Sequence, residues 1–117
     1  MHQERGLLAG FRHARNGFMW AAGSQINMRV HLVALVLVIL LGFFLKINYT
    51  EWLIVVVVSV TMLVLELVNT SLEQAMNAIS TEFNPFIKRA KDVSAAAVLV
   101  YAIGALVIGL IIFGSKL

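Results

Sequence analysis

The chain of 117 residues contains no cysteine, a single proline and few charged residues, which make up 13% of it. The absence of cysteine excludes disulfide bonds, thiolate nucleophiles and cysteine-based metal sites. Residues 1–29 contain no uninterrupted apolar run, so we expect no cleavable signal peptide there. The sequence also lacks a GxxxxGK[ST] loop and the motifs of soluble kinases, so any nucleotide site must be built differently.

Hydrophobic residues are abundant, at 61% of the chain, and the mean hydropathy is +0.92. The length allows one domain, and a soluble domain of this size could not bury so much apolar surface. Residues 30–47, 52–68 and 93–113 form three apolar stretches, each close to the ~20 residues that cross a ~30 Å hydrocarbon core as a helix. No stretch alternates polar and apolar residues as a membrane β-strand does. The sequence predicts an all-α membrane protein of one domain, residues 1–117, with three transmembrane helices.

Basic residues are distributed unevenly around these stretches. Only Lys46 and Lys116 lie after the first span or after the third. The others lie before the first span or between the second and third: Arg5, Arg12, Arg15, Arg29, Lys88, Arg89 and Lys91. Because cytoplasmic loops are enriched in lysine and arginine, we expect the N-terminus inside and the C-terminus outside. This topology accounts for the net charge of +3, so nucleic acid is not an expected partner.

The segment before the first span, residues 1–29, has a different pattern. Its apolar residues fall mostly on one helical face, with Arg5, Arg12 and Asn16 off that face: Leu7, Leu8, Phe11, Phe18, Met19 and Ala22. The pattern is typical of a basic amphipathic helix that lies in the headgroup layer. Such a helix would anchor the orientation of the protein, and it would also cover a site on the cytoplasmic side.

Helical spacing continues beyond the second span, from Glu66 to about Ile79, so the second helix is expected to project from the membrane. Asn84–Pro85 is expected to end it, because proline disfavours helical conformation at the preceding residue. A short basic loop is then expected to lead to the third span.

Glu66 is the acidic residue that most needs an explanation. It follows residues 52–65 of the second span, about 21 Å along the helix, which places it within the inner leaflet. A carboxylate at that depth costs on the order of 1–3 kcal/mol and usually faces a bundle interior or a wet cavity. A functional role explains Glu66 better than a packing or snorkelling role.

Four polar positions continue from this residue along one face of the second helix: Glu66, Asn69 or Thr70, Glu73 and Asn77. Glu73 lies about 10 Å nearer the cytoplasm than Glu66. One carboxylate at the depth of a lipid hydroxyl and a second at aqueous depth suit transfer between a lipid and a soluble donor. Glu66 would accept a proton and Glu73 would bind Mg²⁺. The basic residues at 88–91 offer charge to a polyphosphate, although membrane topology explains them equally well.

Several motifs occur together in the order in which one family has them. Residues 66–73 read ELVNTSLE, residues 89–92 read RAKD and residues 95–98 read AAAV. This combination resembles the prokaryotic diacylglycerol kinase family, and the similarity covers nearly the whole chain. NMRVHL at 27–32, EWL at 51–53 and the Asn-Pro turn are more similar to its undecaprenol kinase branch.

The resemblance implies a homotrimer of three-span protomers in a bacterial cytoplasmic membrane, each with a preceding surface helix. It implies transfer of the γ-phosphate of ATP to a lipid alcohol with Mg²⁺, at active sites shared between neighbouring protomers. Glu66 would be the general base, Asn69 would help to shape the site, and Glu73 and Gln25 would bind the metal. The resemblance further implies nucleotide contacts at the following residues: His13, Glu82, Asn84, Lys91 and Asp92.

Three positions depart from the family pattern. Gln25 stands where the family usually has a glutamate, as a second metal ligand. Asn77 stands where aspartate is usual, and His13 replaces a common tyrosine. The carbonyl oxygen of Gln25 can still bind Mg²⁺, but one negative charge is lost, so we expect weaker metal binding.

The leading hypothesis is a kinase that phosphorylates undecaprenol at the cytoplasmic leaflet. Diacylglycerol is the alternative substrate, and a non-catalytic membrane scaffold with the same fold is the alternative class, favoured by the departures at Gln25 and Asn77. A small transporter or channel would explain a buried carboxylate but not a polar cluster at one membrane face. His31 is interpreted as an interfacial or packing histidine, and Trp20 and Trp52 as interfacial anchors.

Overall fold

The computed structural model describes residues 6–117, which form four α-helices in chain order: α1 (Leu7–Ser24), α2 (Ile26–Phe44), α3 (Tyr49–Ile79) and α4 (Pro85–Gly114). Helices α2, α3 and α4 are long and apolar enough to cross a membrane. The prediction of an all-α chain with three spanning helices is therefore confirmed. The first five residues, including the basic Arg5, lie outside the described range.

The predicted surface segment 1–29 is divided at Gln25. This residue has an extended backbone, with φ −106° and ψ 117°, and it alone separates α1 from α2. Residues 26–29 therefore belong to the first spanning helix and not to the surface helix. Within α1 the alanines Ala9 and Ala21 are buried, whereas the large apolar residues near its start are exposed. The location of α1 in the headgroup layer stays a prediction.

Helix α3 is longer than a membrane is thick. Its 31 residues span about 46 Å at ~1.5 Å per residue, against a hydrocarbon core of ~30 Å. A capping box fixes its start, where Asn48 Oδ1 accepts from the Glu51 N–H and Glu51 Oε1 accepts from the Asn48 N–H, both at 2.9 Å. The helix runs without a break to Ile79, so the predicted continuation of this helix beyond the second apolar stretch is confirmed.

The connection between α3 and α4 differs from the prediction. Helix α3 ends before Ser80, whose backbone is extended, so Asn84–Pro85 does not end it. Asn84 instead caps α4: its Oδ1 accepts from the N–H groups of Phe86 at 2.9 Å and Ile87 at 3.3 Å. Proline fits the first helical position, where no N–H is needed. The predicted basic loop is consequently wrong, because the basic residues at 88–91 lie within the first turns of α4.

Helix α3 is the centre of the bundle, with α4 and α2 packed against it and α1 touching α2 and α3. At the end opposite to α1, a small core forms around Ile47, Val55 and Ile112. An ion pair of 2.9 Å between Lys116 Nζ and Glu51 Oε1 joins the C-terminal end of the chain to the start of α3. This end of the bundle is closed by packing, and the polar residues described below lie towards the other end.

Gly42, in the last turn of α2, allows Trp52 to pack closely against that helix. A Cβ atom at Gly42 would lie 2.6 Å from Trp52 Cη2 and 3.2 Å from Ile47 Cδ1. We expect Gly42→Ala to lower the thermal midpoint in detergent, with a cost of about 1–3 kcal/mol for the forced rearrangement. Gly104→Ala is the matched control, since nothing lies within 4 Å of its added Cβ and alanine is the better helix former. Equal midpoints for the two variants would contradict the close contact.

Candidate active site

Three polar residues of α3 are buried, although the described chain has little other buried polar surface. Glu66 is 2% exposed, Asn69 6% and Thr70 5%. They occupy one face over little more than a turn, against the side of the bundle that α1 and α2 cover. Burying a carboxylate and an amide in a membrane helix is costly, so a polar site at this position needs a functional reason.

Helix α2 brings an imidazole to the buried carboxylate. His31 Nε2 lies 3.7 Å from Glu66 Oε2, and the His31 side chain is 20% exposed. Glu66 Oε2 itself is buried and has no hydrogen-bond partner among the described residues. Glu66 therefore keeps an acceptor oxygen available in a site that excludes bulk water.

The polar stripe continues from Glu66 towards the end of α3 as the sequence predicts. Asn69 Nδ2 donates to Glu73 Oε1 at 3.4 Å, while Asn69 Oδ1 is buried and has no partner among the described residues. Further along, Lys91 Nζ donates to Asn77 Oδ1 at 2.5 Å. This contact joins the start of α4 to the stripe, so one line of polar groups extends from Glu66 to Lys91.

The other residues predicted to contact nucleotide are not all brought to this line. Asp92 pairs with Lys88 on its own helix, with 2.5 Å between the carboxylate and the amine. Asn84 caps α4, and Glu82 is exposed in the connection, where its N–H donates to Ser80 Oγ at 3.1 Å. His13 is an exposed residue of α1. Lys91 is the predicted nucleotide contact that reaches the stripe, through its hydrogen bond to Asn77.

An apolar cavity of about 520 Å³ lies between α2 and α4, with α3 as its floor. Apolar side chains form most of its wall, and His31 and Ser59 are its polar lining residues. Its lining on α2 extends from His31 to Leu41, about 15 Å along the helix. One end of this cavity is therefore the histidine that faces Glu66.

Comparison with known proteins shows the family to which this chain belongs. Residues 12–113 match the family model described as prokaryotic diacylglycerol kinase. The chain belongs to this family. Its members named below are lipid kinases, and so is this chain.

Three curated relatives illustrate the range of the prokaryotic diacylglycerol kinase family. The undecaprenol kinase of Bacillus subtilis (strain 168) is 36% identical over 92% of this chain and 87% of its own length. The diacylglycerol kinase of Synechocystis sp. is 34% identical over 88% of this chain, which spans 59% of that protein. A diacylglycerol kinase of Helicobacter pylori (strain J99) is 28% identical over 80% of this chain and 73% of its own length.

The predicted Mg²⁺ ligands of this kinase are Glu73 and Gln25. The described residues contain no group of three or more histidine and acidic side chains around one point. The Glu73 carboxylate lies one turn from Asn69 on α3, and its Oε1 atom accepts from Asn69 Nδ2. Mg²⁺ is commonly bound through one or two carboxylates, with water and substrate phosphates completing its coordination. The carboxylate of Glu73 fits that kind of site, and the side chain of Gln25 donates to Ser24 Oγ at 3.4 Å.

His31 is the residue of this kinase site that the sequence analysis missed, because a lone histidine near a membrane surface usually has a packing role. Comparing the membrane depths of residues on α2 and α3 would have identified it. Helices α2 and α3 run in opposite directions through the membrane, so the first turns of α2 lie at the depth of the last membrane turns of α3. His31 and Glu66 meet there.

Proposed function

We propose that this kinase transfers the γ-phosphate of ATP to the hydroxyl group of a membrane lipid alcohol, most specifically undecaprenol. The observation that carries the proposal is Glu66, a buried carboxylate that lies beside His31 at one end of an apolar cavity. A lipid alcohol matches both features, because its chain is apolar and its hydroxyl group donates a hydrogen bond. The 36% identity to an undecaprenol kinase supports the choice of substrate.

In the proposed reaction Glu66 is the general base. The alcohol oxygen forms a bond to the γ-phosphorus, and the bond from that phosphorus to the bridging oxygen breaks. ADP leaves with the bonding electrons, and the hydroxyl proton passes to Glu66. A buried base beside an apolar cavity is suited to this step, because little water reaches the carboxylate.

Glu73 would bind Mg²⁺ in this proposal, with Gln25 as a further oxygen ligand. When bound, the ion would neutralise the phosphate oxygens on which negative charge develops. Asn69 would orient this metal ligand, because its amide N–H restrains Glu73 Oε1. A restrained carboxylate is a better-organised ligand than a freely rotating one.

Lys91 is the proposed phosphate contact on α4. Its amine already lies at the polar stripe, where Asn77 Oδ1 accepts its hydrogen bond. Since Asn77 is uncharged, Lys91 keeps its positive charge uncompensated by that partner and available to a polyphosphate. Asp92, Glu82, Asn84 and His13 are proposed to contact the nucleotide on the basis of the family resemblance.

The active protein is proposed to be a homotrimer in the bacterial cytoplasmic membrane, with the N-terminus inside. Helix α3 supports an assembly, because it carries an exposed stripe along one side: Val57, Val60, Val64 and Val68. The stripe is where copies would meet. The mass of the protein in detergent measures this directly, and a monomeric mass for an active preparation would contradict the trimer.

The decisive test of the proposed function is a substrate panel. Purified protein is incubated with labelled ATP, Mg²⁺ and undecaprenol, diacylglycerol or ceramide in separate reactions. We expect label in undecaprenol. Label in diacylglycerol would establish the alternative that two of the relatives above represent, and the absence of label in every lipid would favour a non-catalytic scaffold.

A second test asks whether the substrate chain lies in the cavity. Gly109 of α4 lines the cavity and Gly104 does not, and nothing lies within 4 Å of a Cβ added at either. We expect Gly109→Leu to lower kcat/KM for undecaprenol about 10-fold, since added methylenes in an apolar pocket have effects of this size. Geraniol, whose chain is shorter than the cavity, should be affected about twofold at most on the same reasoning.

Gly104→Leu is the matched control, and it should leave both alcohols unaffected. The masses of both variants in detergent are compared with the wild type. Unchanged kinetics for undecaprenol in Gly109→Leu would place the chain elsewhere. A loss of the assembled mass in that variant alone would identify the cavity as a contact between copies.

A further inference from the structure

His31 has two neighbours of opposite chemical character. On one side its Nε2 atom lies 3.7 Å from Glu66 Oε2, and on the other the residue lines one end of the apolar cavity. Glu66 itself is not part of the cavity wall. The imidazole is the boundary between the chain-binding space and the carboxylate.

The carboxylate needs such a neighbour. Glu66 is 2% exposed and its Oε2 atom has no hydrogen-bond partner among the described residues. A buried carboxylate oxygen that lacks a donor is free to rotate away from a productive orientation. The donor that α2 presents to it is the His31 imidazole, whose Nε2 atom lies 3.7 Å away, slightly beyond hydrogen-bond distance. Catalytic hydrogen bonds are often this long before substrate binds.

We propose that His31 is a positioning residue for the lipid substrate: its Nε2–H holds one oxygen of Glu66, so that the other faces the hydroxyl of an alcohol whose chain enters the cavity past the imidazole. The inference rests on the function proposed above and assigns to His31 a role beyond packing. His31 keeps its own proton throughout, and the hydroxyl proton passes to Glu66 alone. The imidazole ring forms the wall next to the first carbons of the chain.

Three substitutions separate positioning from packing. His31→Ala removes both the donor and the volume, His31→Leu keeps an apolar volume without a donor, and His31→Gln keeps an N–H that can reach the same oxygen. We expect the alanine and leucine variants to lose about 10²-fold in kcat with undecaprenol, as misplacement of a reacting group by ~1 Å can cause. The glutamine variant should recover to within about fivefold of the wild type, because the N–H is restored. The KM for ATP should stay unchanged in all three.

The His31→Leu and His31→Gln pair decides the inference even if His31→Ala fails to assemble, because both fill the volume of the histidine. Wild-type activity in His31→Leu would overturn the positioning role and leave packing as the explanation. Equal losses in His31→Leu and His31→Gln would overturn it as well, since a donor would then make no difference. If the wild type labels no lipid, the proposed function itself fails, and this inference fails with it.

Discussion

Glu66→Gln is expected to abolish lipid phosphorylation, with kcat reduced by about 10³-fold or more, because general base catalysis contributes 10²–10⁴-fold in enzymes. The substitution is nearly isosteric, so the buried position stays filled. It removes the proton acceptor and leaves one side-chain oxygen in place. The measurement is transfer of label from ATP to undecaprenol under saturating Mg²⁺.

Glu51→Gln is the matched control for this variant. Glu51 lies in the first turn of the same helix, at the end remote from the polar stripe, where it accepts hydrogen bonds from the Asn48 N–H and Lys116. A glutamine oxygen can still accept from Asn48, so we expect full kinase activity. Both variants should have the wild-type mass in detergent. Substantial activity in Glu66→Gln would show that another group takes the proton and would remove the basis of the proposed mechanism.

The second large effect is expected from the number of negative charges at the proposed metal site. Glu73→Gln removes the carboxylate that Asn69 restrains, and we expect the half-saturating Mg²⁺ concentration to rise about 10-fold or more. Gln25→Glu adds a carboxylate where this chain has an amide, and the same concentration should fall several-fold. Opposite shifts follow because Mg²⁺ affinity depends on the charge of its oxygen ligands. The readout is initial rate against Mg²⁺ at fixed ATP.

The two variants also serve as controls for each other. Each exchanges an amide and a carboxylate of the same length, so a general effect on folding would change both in the same direction. Combining them restores the number of charges, and the double variant should return towards the wild-type Mg²⁺ requirement. If Gln25→Glu leaves the requirement unchanged, Gln25 does not bind the metal, and Glu73 remains the carboxylate to test.

The number of spanning helices follows from hydrophobicity alone, but the residues at which the helices begin and end do not. Long apolar stretches must be helical in a membrane, because only internal hydrogen bonds satisfy the backbone there. Helix ends outside the membrane are decided by caps. Asn84 was expected to end α3, yet its side chain caps α4, and the basic residues that follow are helical. A proline next to an asparagine is compatible with either arrangement until the partner N–H groups are known.

In the candidate site, too, some features could be predicted from the sequence and others could not. The spacing of Glu66, Asn69 and Glu73 places them on one face of any helix, and the structure brings these residues together in the predicted line. Contacts between helices have no signal in spacing. Lys91 reaches Asn77 from α4, and His31 reaches Glu66 from α2, only because the three spans pack side by side.

The sequence by itself determined that this protein spans a membrane three times and carries Glu66 and Glu73 along one face of its middle helix. It also determined the family, through motifs that cover nearly the whole chain. Only the tertiary structure decided that an apolar cavity ends at His31, next to a carboxylate oxygen without a partner. The physical reason is that helical periodicity is a local property of one segment, whereas a cavity and its polar end are produced by the relative packing of several helices.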